Sequence, residues 1–155
     1  MAKKLRGRVQ RGAVDTGLIE GVGTFIYCTS TRRYLFLLRN SSKYSGTWGL
    51  VGGKVEADEL TIQSLMREIE EELGGTIQDP KIIPIEKFTS DNGKFSYHTC
   101  VIPINEEFAP VLNHEHRGYC WVGLEDHPKP LHPGVWRTIN FKEVIDKIKV
   151  LETIL

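Results

Sequence analysis

The chain has 155 residues, of which 40% are hydrophobic, and this is the size and composition of one domain with a substantial apolar core. Twenty basic and twenty acidic residues give a formal net charge of zero, which argues neither for nor against a polyanion as partner. No run approaches the roughly 18 apolar residues of a membrane-spanning helix, and the amino terminus lacks the apolar core of a signal peptide. We therefore expect a single domain over residues 1–155 in a reducing, cytoplasmic setting.

Two smaller features concern the cysteines and the amino terminus. Cys28, Cys100 and Cys120 have no metal-site spacing and sit among apolar or aromatic residues, so they are expected as buried core thiols. Several basic residues precede the first acid, at Lys3, Lys4, Arg6, Arg8 and Arg11. They indicate a solvated terminus or edge strand, and a basic lip for a phosphate-rich ligand is the alternative.

The first third of the chain predicts strands. Residues 18–28 favour a strand whose glycines permit close approach of other groups. Residues 33–39 form a near-continuous apolar run, which is typical of a short buried strand. Residues 41–46 predict a loop, and residues 48–51 resume an extended segment.

A helix is predicted next, because apolar residues recur with helical spacing along one stripe. The stripe consists of Ile62, Leu65, Met66, Ile69 and Leu73. Gly74 and Gly75 supply a helix stop, and Pro80 is a further breaker.

The second half predicts more strands and a last helix. Residues 82–90 and 95–104 alternate as two strands, with an Asn-Gly hairpin signal between them. Residues 118–124 predict another strand, and the proline-rich residues 128–133 an irregular connection. An amphipathic C-terminal helix is marked by Phe141, Val144, Ile145, Ile148, Leu151 and Leu155. The chain therefore has the pattern of an α/β (α+β) fold, a mixed sheet covered by helices.

The first helix carries an acidic cluster. At about 100° per residue, Glu68, Glu71 and Glu72 project from one side, at the border of the apolar stripe. Glu70 points the opposite way and is expected in solvent. Like charges at these spacings repel, so the cluster indicates a hard divalent cation between the carboxylates, and Gly52 can offer a carbonyl to the same ion. An acidic solvated face is the alternative for the cluster taken alone.

Arg67 lies within this acidic cluster, and Glu59 precedes the helix. An ion pair between them would hold the preceding loop against the helix. Its role would be orientation rather than chemistry.

The spacing of these residues resembles the Nudix box. Gly53 is followed after five residues by Glu59, after seven more by Arg67, Glu68 and Ile69, and then by Glu71, Glu72 and Gly74. Gly75 stands where the motif usually closes with an aliphatic residue, a departure that concerns the packing after the helix and not the metal site. Ile77 is expected to take over that contact. A weaker likeness extends to the strand that ends in Arg39, to residues 48–53 and to residues 119–122.

The resemblance implies a Nudix-type α/β/α sandwich that hydrolyses a nucleoside diphosphate linked to another moiety, with Mg²⁺ or alternatively Mn²⁺ as its metal. The metal ligands it implies are Glu68, Glu71, Glu72 and the carbonyl of Gly52. Glu59 and Arg67 would hold the loop and helix together.

The general base that the resemblance requires is left open. It would be a box glutamate, Glu68 or Glu71, or Glu115 from a later loop. His114 and His116 flank Glu115 and are expected to be solvated rather than catalytic.

Apart from Gly53, the candidate substrate contacts lie outside the box. Arg39 at a strand end could meet a phosphate bidentately, although a solvated arginine is an equal alternative. Gly53 and Trp48 complete the expected substrate-binding set. Trp48, Phe25 and Tyr97 could stack on a base, but core packing is favoured for each of them.

The expected substrate is a (deoxy)nucleoside triphosphate, and ADP-ribose or a nucleotide sugar is the alternative. Residues 89–92 lack the proline of the ADP-ribose type, and Gly93 and Lys94 stand in place of the tyrosine of the dinucleoside-polyphosphate type. A non-catalytic Nudix-fold nucleotide-binding module is the rival class, but such modules usually lose a box carboxylate and this chain keeps them all. A small-molecule nucleotide is the expected partner; an RNA 5′ end and a homodimer are left open.

Overall fold

The structure, a computed structural model, describes residues 17–155, so the basic residues 3–11 lie outside the described part of the chain. Its strands are β1 (Ile19–Cys28), β2 (Arg33–Arg39), β3 (Trp48–Gly49), β4 (Val51–Lys54), β5 (Ile83–Thr89), β6 (Phe95–Ile104) and β7 (His116–Val122). Its α-helices are α1 (Thr61–Leu73), α2 (Pro133–Ile139) and α3 (Lys142–Ile154). None of these helices is long and apolar enough to cross a membrane.

The described strands form one mixed sheet in the order β3-β2-β1-β6-β5, with β4 also paired to β1 and β7 to β2. Strands β1 and β6 run parallel over their full length, and the other pairs are antiparallel. One edge of β1 changes partner along its length: residues 21–24 pair with β4, and residues 27–28 pair with β2. The mixed sheet expected from the sequence is confirmed.

Alternation along the strands divides the apolar residues between two cores. On one face, Val22 and Ile26 of β1 pack in a cluster with Leu65 and Ile69 of α1. On the other face, Phe25 packs in a cluster that includes residues of α2 and α3. The sheet therefore lies between helices on both sides, as the resemblance implied.

The carboxyl end of α1 agrees with the sequence. Gly74 has a left-handed backbone (φ 77°), and its N–H donates to the carbonyl of Glu70 at 3.0 Å. A Cβ at Gly75 would meet nothing within 4 Å, whereas Ile77 packs against the α1-side core. Ile77 therefore contacts the core just after the helix, whereas the space at Gly75 is open.

Three details differ from the sequence-based expectations. Ile62 is 57% exposed, because helical side chains lean toward the N-terminus and a first-turn residue reaches past the helix body. Strand β7 begins at His116, two residues before the expected start. Helix α2 was not predicted: Pro133 occupies its first turn, where proline is favoured, and the Gly134 N–H donates to Nδ1 of His132 at 3.0 Å.

We predict that Gly74→Ala destabilises the fold by about 1 kcal/mol or more, because alanine disfavours the left-handed conformation and its Cβ would lie 2.6 Å from Cβ of Val111. Gly75→Ala is the matched control, since the space around that position is open and the change should stay within about 0.5 kcal/mol. Urea unfolding of the two variants measures the difference. Equal losses would contradict this account of the helix end.

Candidate active site

The acidic side of α1 packs directly against the two glycines of β4. A Cβ at Gly53 would overlap Oε2 of Glu68, and a Cβ at Gly52 would overlap the carbonyl oxygen of Val22 on β1. The N–H of Gly52 donates to Oε1 of Glu72 at 3.2 Å. Both glycines are therefore required, because a side chain at either position would push β4 away from the helix or from β1.

Two carboxylates are buried at this contact. Glu72 is 2% exposed and Glu68 is 8% exposed. Burial raises the pKa of Glu72 to about 9, although the Gly52 N–H opposes the shift. Burial also raises the pKa of Glu68 to about 7, with Arg67 opposing and Glu71 adding to the shift. Both groups therefore resist ionisation in the absence of a compensating cation.

Arg67 makes the predicted ion pair with Glu59. Its Nε lies 2.7 Å from Oε2 of Glu59, and its Nη2 lies 3.0 Å from Oε1. This bidentate contact lowers the pKa of Glu59. Nη2 also donates to the carbonyl of Lys54 at 3.2 Å, so Arg67 joins β4 and the following loop to the helix. The ion pair expected between Glu59 and Arg67 is present.

Glu71 is more exposed than Glu68 and Glu72, the other two carboxylates on this side of α1. Its side chain is about half exposed, and Oε1 lies 3.5 Å from Nη1 of Arg67. Among the described residues, no group of three or more His, Cys, Asp or Glu side chains is arranged to hold a metal ion.

The chemistry of the buried pair nevertheless fits a divalent cation. Glu68 and Glu72 provide two carboxylates whose charged forms are costly to bury unless a cation compensates them. Carboxylate oxygens are the preferred ligands of Mg²⁺ and Mn²⁺. Glu71 directly precedes Glu72 and follows Glu68 by three residues, about one helical turn.

The loop before β7 carries Glu115, which lies close enough to the buried pair to affect it electrostatically. The charge of Glu115 raises the pKa of both Glu68 and Glu72, so it lies within electrostatic reach of them. The backbone of Glu115 is held in place, since its carbonyl accepts the Asn40 N–H at 2.8 Å. The charge of Glu115 therefore acts on the carboxylate pair.

The two histidines beside Glu115 have different surroundings. His114 is exposed, as expected. The expectation for His116 was wrong: it is 6% exposed, because it opens β7 opposite Arg39 of β2. Its Nδ1 has no hydrogen-bond partner among the described residues, and burial lowers its pKa to about 4. His116 is therefore neutral at pH 7.

A cavity of about 420 Å³ lies between the sheet and α2. Gly52, Gly53 and Arg39 line the end that is next to the buried carboxylates. The rest of its lining includes Phe88, Phe95 and Tyr97 from the sheet and Val135, Arg137 and Thr138 from α2. This size is within the range of small-molecule sites.

Tyr97 and the glycines of β1 shape the floor of the cavity. A Cβ at Gly21 would lie 2.7 Å from Cδ1 of Tyr97, and a Cβ at Gly23 would overlap its hydroxyl oxygen. The ring therefore lies flat across β1, which confirms the close approach expected at these glycines. Phe25 is fully buried, and Trp48 packs against the same core without lining the cavity.

Arg39 brings positive charge to the carboxylate end of the cavity. Its Nη2 donates to Oγ of Ser41 at 3.0 Å and to the carbonyl of Lys43 at 3.2 Å. Its charge lowers the pKa of Glu72 and of His132. Arg39 is therefore placed where an anionic ligand would approach the carboxylate pair.

The cavity is also lined by residues that the sequence analysis did not single out. Phe88 and Phe95 stand at the ends of the predicted hairpin, and His132, Arg137 and Thr138 belong to α2 or its start. The favourable first-turn position of Pro133 was the one signal for α2.

Comparisons with known proteins agree with this arrangement. The family model of the NUDIX domain matches residues 18–141. The chain is 32% identical over 98 residues to a Mycobacterium tuberculosis protein named "Putative 8-oxo-dGTP diphosphatase 3". The aligned region covers 60% of this chain and 45% of the relative. It is 31% identical over 86 residues to the CTP pyrophosphohydrolase of Escherichia coli, which covers 55% of this chain and 62% of that protein. The chain thus spans about half the length of the curated relatives it matches.

A solved structure, the MutT protein from Methanosarcina mazei Go1, has 27% sequence identity and a TM-score of 0.67. The match covers 88% of this chain and 99% of that one. The Nudix-type fold expected from the sequence is confirmed.

We predict that the metal-free protein loses stability as the pH rises from 6.5 to 9. The folded state keeps the proton of Glu72 to about pH 9, whereas the unfolded chain releases it near 4.5. The folded state therefore binds more protons in this window, and the free energy of unfolding falls as pH rises, on the order of 2 kcal/mol. Histidines with lowered pKa values act only below the window, since their unfolded pKa is 6.5.

Thermal melting in a chelator measures this loss. Glu72→Gln should flatten the decline, and Mg²⁺ should oppose it, because the ion binds the ionised carboxylate. A wild-type melting temperature that stays constant or rises across the window would contradict the burial of a protonated Glu72.

Proposed function

The chain belongs to the NUDIX domain family, and from that premise we propose that it is a divalent-metal-dependent hydrolase of nucleoside polyphosphates. Its substrate in this proposal is a (deoxy)nucleoside triphosphate, whose phosphoanhydride bond is cleaved by attack of water at phosphorus. The observation that carries the proposal is the burial of Glu68 and Glu72 beside the cavity.

The charge balance of the site supports the proposal. Glu68 and Glu72 are buried, and the arginine beside them is already engaged by Glu59. A further cation would stabilise the ionised pair, and Mg²⁺ in proteins is commonly held by carboxylates together with substrate phosphates. Arg39 would meet the phosphate oxygens at the same end of the cavity.

The residues would divide the work as follows. Glu68 and Glu72 would hold the ion, with Glu71 and the carbonyl of Gly52 completing its ligands. A bound Mg²⁺ or Mn²⁺ neutralises phosphate charge and lowers the pKa of a water molecule. Arg67 fixes the helix relative to β4 through its contacts with Glu59 and Lys54.

Glu115 is the best placed acceptor for the proton of the attacking water. The other two candidates are each near Arg67, whose Nη1 lies 3.5 Å from Glu71 and 3.7 Å from Glu68. The described contacts include no such ion pair for Glu115, which lies in the loop directly before β7. An unpaired carboxylate can accept a proton without first giving up a cation.

The choice of substrate is supported by the cavity and by the relatives. A cavity of about 420 Å³ with aromatic walls suits a nucleobase and its sugar. The names of the two curated relatives refer to 8-oxo-dGTP and to CTP, which are both nucleoside triphosphates. ADP-ribose and nucleotide sugars are therefore the second choice.

We predict that Glu72→Gln lowers metal-dependent turnover roughly 100-fold or more, the scale on which removal of a charge-stabilising group acts. Glutamine can still accept the Gly52 N–H, so the fold should be kept. The measurement is release of phosphate and pyrophosphate from a panel of nucleoside triphosphates, ADP-ribose and nucleotide sugars, with Mg²⁺, with Mn²⁺ and with chelator.

Glu70→Gln is the matched control, because it removes the same charge from the exposed side of the same helix. Its turnover should stay near that of the wild type. If Glu72→Gln were as active as this control, Glu72 would not hold the metal. Nucleotide binding without metal-dependent release by the wild type would favour the binding-module alternative.

A further inference from the structure

Arg39 and His132 are neighbours in the lining of the cavity, on either side of Gly49. A Cβ built at Gly49 would lie 3.9 Å from Cδ of Arg39 and 3.9 Å from Cβ of His132. All three residues line the cavity. Since both side chains are within contact distance of one point, they flank the space above Gly49, and the absence of a side chain at Gly49 leaves that space open.

The imidazole of His132 is a neutral ring with one defined tautomer. The N–H of Gly134 donates to its Nδ1 at 3.0 Å, so in the neutral ring the proton lies on Nε2. Burial lowers the pKa of His132, and the charges of Arg39 and Lys43 lower it further, which keeps the ring neutral at pH 7. Among the described residues, Nε2 has no hydrogen-bond partner. Its N–H is therefore available to a ligand.

The surrounding loop holds this ring in place. The ring of Tyr44 packs edge-on against it, with the two centroids 4.7 Å apart. Tyr44 is itself fixed, because its carbonyl accepts hydrogen bonds from the N–H and from Oγ1 of Thr47 at 3.3 and 2.7 Å. The backbone N–H of His132 donates to the carbonyl of Trp48 at 2.8 Å. The position of the Nε2 donor is therefore set before a ligand binds, which reduces the entropy lost on binding.

The charges around His132 favour an anionic ligand. Within the described part of the chain, Arg39 makes no ion pair, and its guanidinium donates to neutral oxygens of Ser41 and Lys43. The other arginine of the cavity, Arg137, is instead paired with Glu86 at 2.8 Å. An unpaired guanidinium beside a neutral N–H donor suits a group that is negative and only accepts hydrogen bonds, which is the chemistry of a phosphate.

We infer that His132 is a phosphate-binding residue, whose Nε2–H donates to a phosphate oxygen of the nucleotide while Arg39 contacts the phosphates from the other side of Gly49. The inference rests on the proposed function, because it takes the cavity as the nucleotide site. Tyr44 acts through His132 as a positioning residue. The space above Gly49 is the place of the bound phosphates.

The variant His132→Asn separates this role from a structural one. His132 is the N-cap of α2, and asparagine is a favoured N-cap that can still accept the Gly134 N–H. Its shorter side chain has no counterpart of Nε2. The variant should keep the melting temperature of the wild type and bind the ligands below roughly 10- to 100-fold more weakly, the scale of a hydrogen bond to a charged group. His127→Asn is the matched control, since His127 is outside the cavity lining, and it should leave the affinities unchanged.

The measurement is calorimetric titration in the presence of Mg²⁺ with two kinds of ligand. One is the triphosphate of cytidine or of deoxyguanosine with methylene groups in place of both bridging oxygens, and the other is inorganic tripolyphosphate. Both kinds should lose affinity by a similar factor, because the contact is to phosphate. Unchanged affinities would show that His132 only caps the helix. A loss confined to the nucleotides, or no binding of tripolyphosphate by the wild type, would place the contact on the sugar or base and overturn the inference.

Gly49→Ala tests the same place without changing His132. The added Cβ would make only ordinary contacts at 3.9 Å, so the fold should be kept, but it would occupy the space assigned to the phosphates. Both kinds of ligand should therefore bind more weakly. Unchanged affinity for both would contradict the placement of the phosphates above Gly49.

Failure of this inference differs from failure of the proposed function, because turnover of the natural triphosphates is measured in parallel. Metal-dependent turnover together with normal affinities in His132→Asn would keep the proposed hydrolysis and remove the role of His132. Phosphate binding that depends on His132, without turnover by the wild type, would remove the hydrolysis and keep the assignment of the phosphate-binding residue.

Discussion

The site depends on the close contact between the acidic side of α1 and the backbone of β4. Glycine at positions 52 and 53 lets Glu68 and Glu72 enter a space that a Cβ would fill. Burial then makes their charged forms costly, which raises both pKa values. Arg67 offsets this charge only in part: its Nη1 lies 3.7 Å from Glu68, whereas its Nε and Nη2 are engaged by Glu59. The packing that forms the core therefore also buries two carboxylates whose charged forms a cation would stabilise.

The cavity lies on the face of the sheet opposite to the acidic side of α1. Glu68 belongs to the α1 side, whereas the cavity lies on the side of α2, and both Gly52 and Gly53 line that cavity. The change of partner along β1 places β4 at this point of the sheet. The ring of Tyr97 covers Gly21 and Gly23 and so forms the floor between the two ends. The cavity lining thus joins the two glycines that pack against the carboxylates to the aromatic wall.

The sequence predicted the parts of this arrangement that depend on local spacing. The helix over residues 61–73, its glycine stop and the contact between Arg67 and Glu59 follow from periodicity and from the resemblance to the Nudix box. It did not predict features that depend on tertiary placement. The exposure of Glu71 reflects its contact with Arg67, and the burial of His116 follows from its pairing with β2. Arg137 could not be found from the sequence, since the helix that carries it has only seven residues and since its partner Glu86 follows a β-bulge in β5.

The most direct test of the central claim is a crystal structure of the protein grown or soaked in Mn²⁺, with anomalous diffraction data. The account predicts an anomalous peak within about 2.0–2.6 Å of carboxylate oxygens of both Glu68 and Glu72, the range of hard-cation ligand distances. The peak should disappear in Glu72→Gln crystals and persist in Glu70→Gln crystals. An ordered α1 with no peak at this pair, or a peak bound only by other residues, would contradict the assignment of the buried carboxylates to a metal.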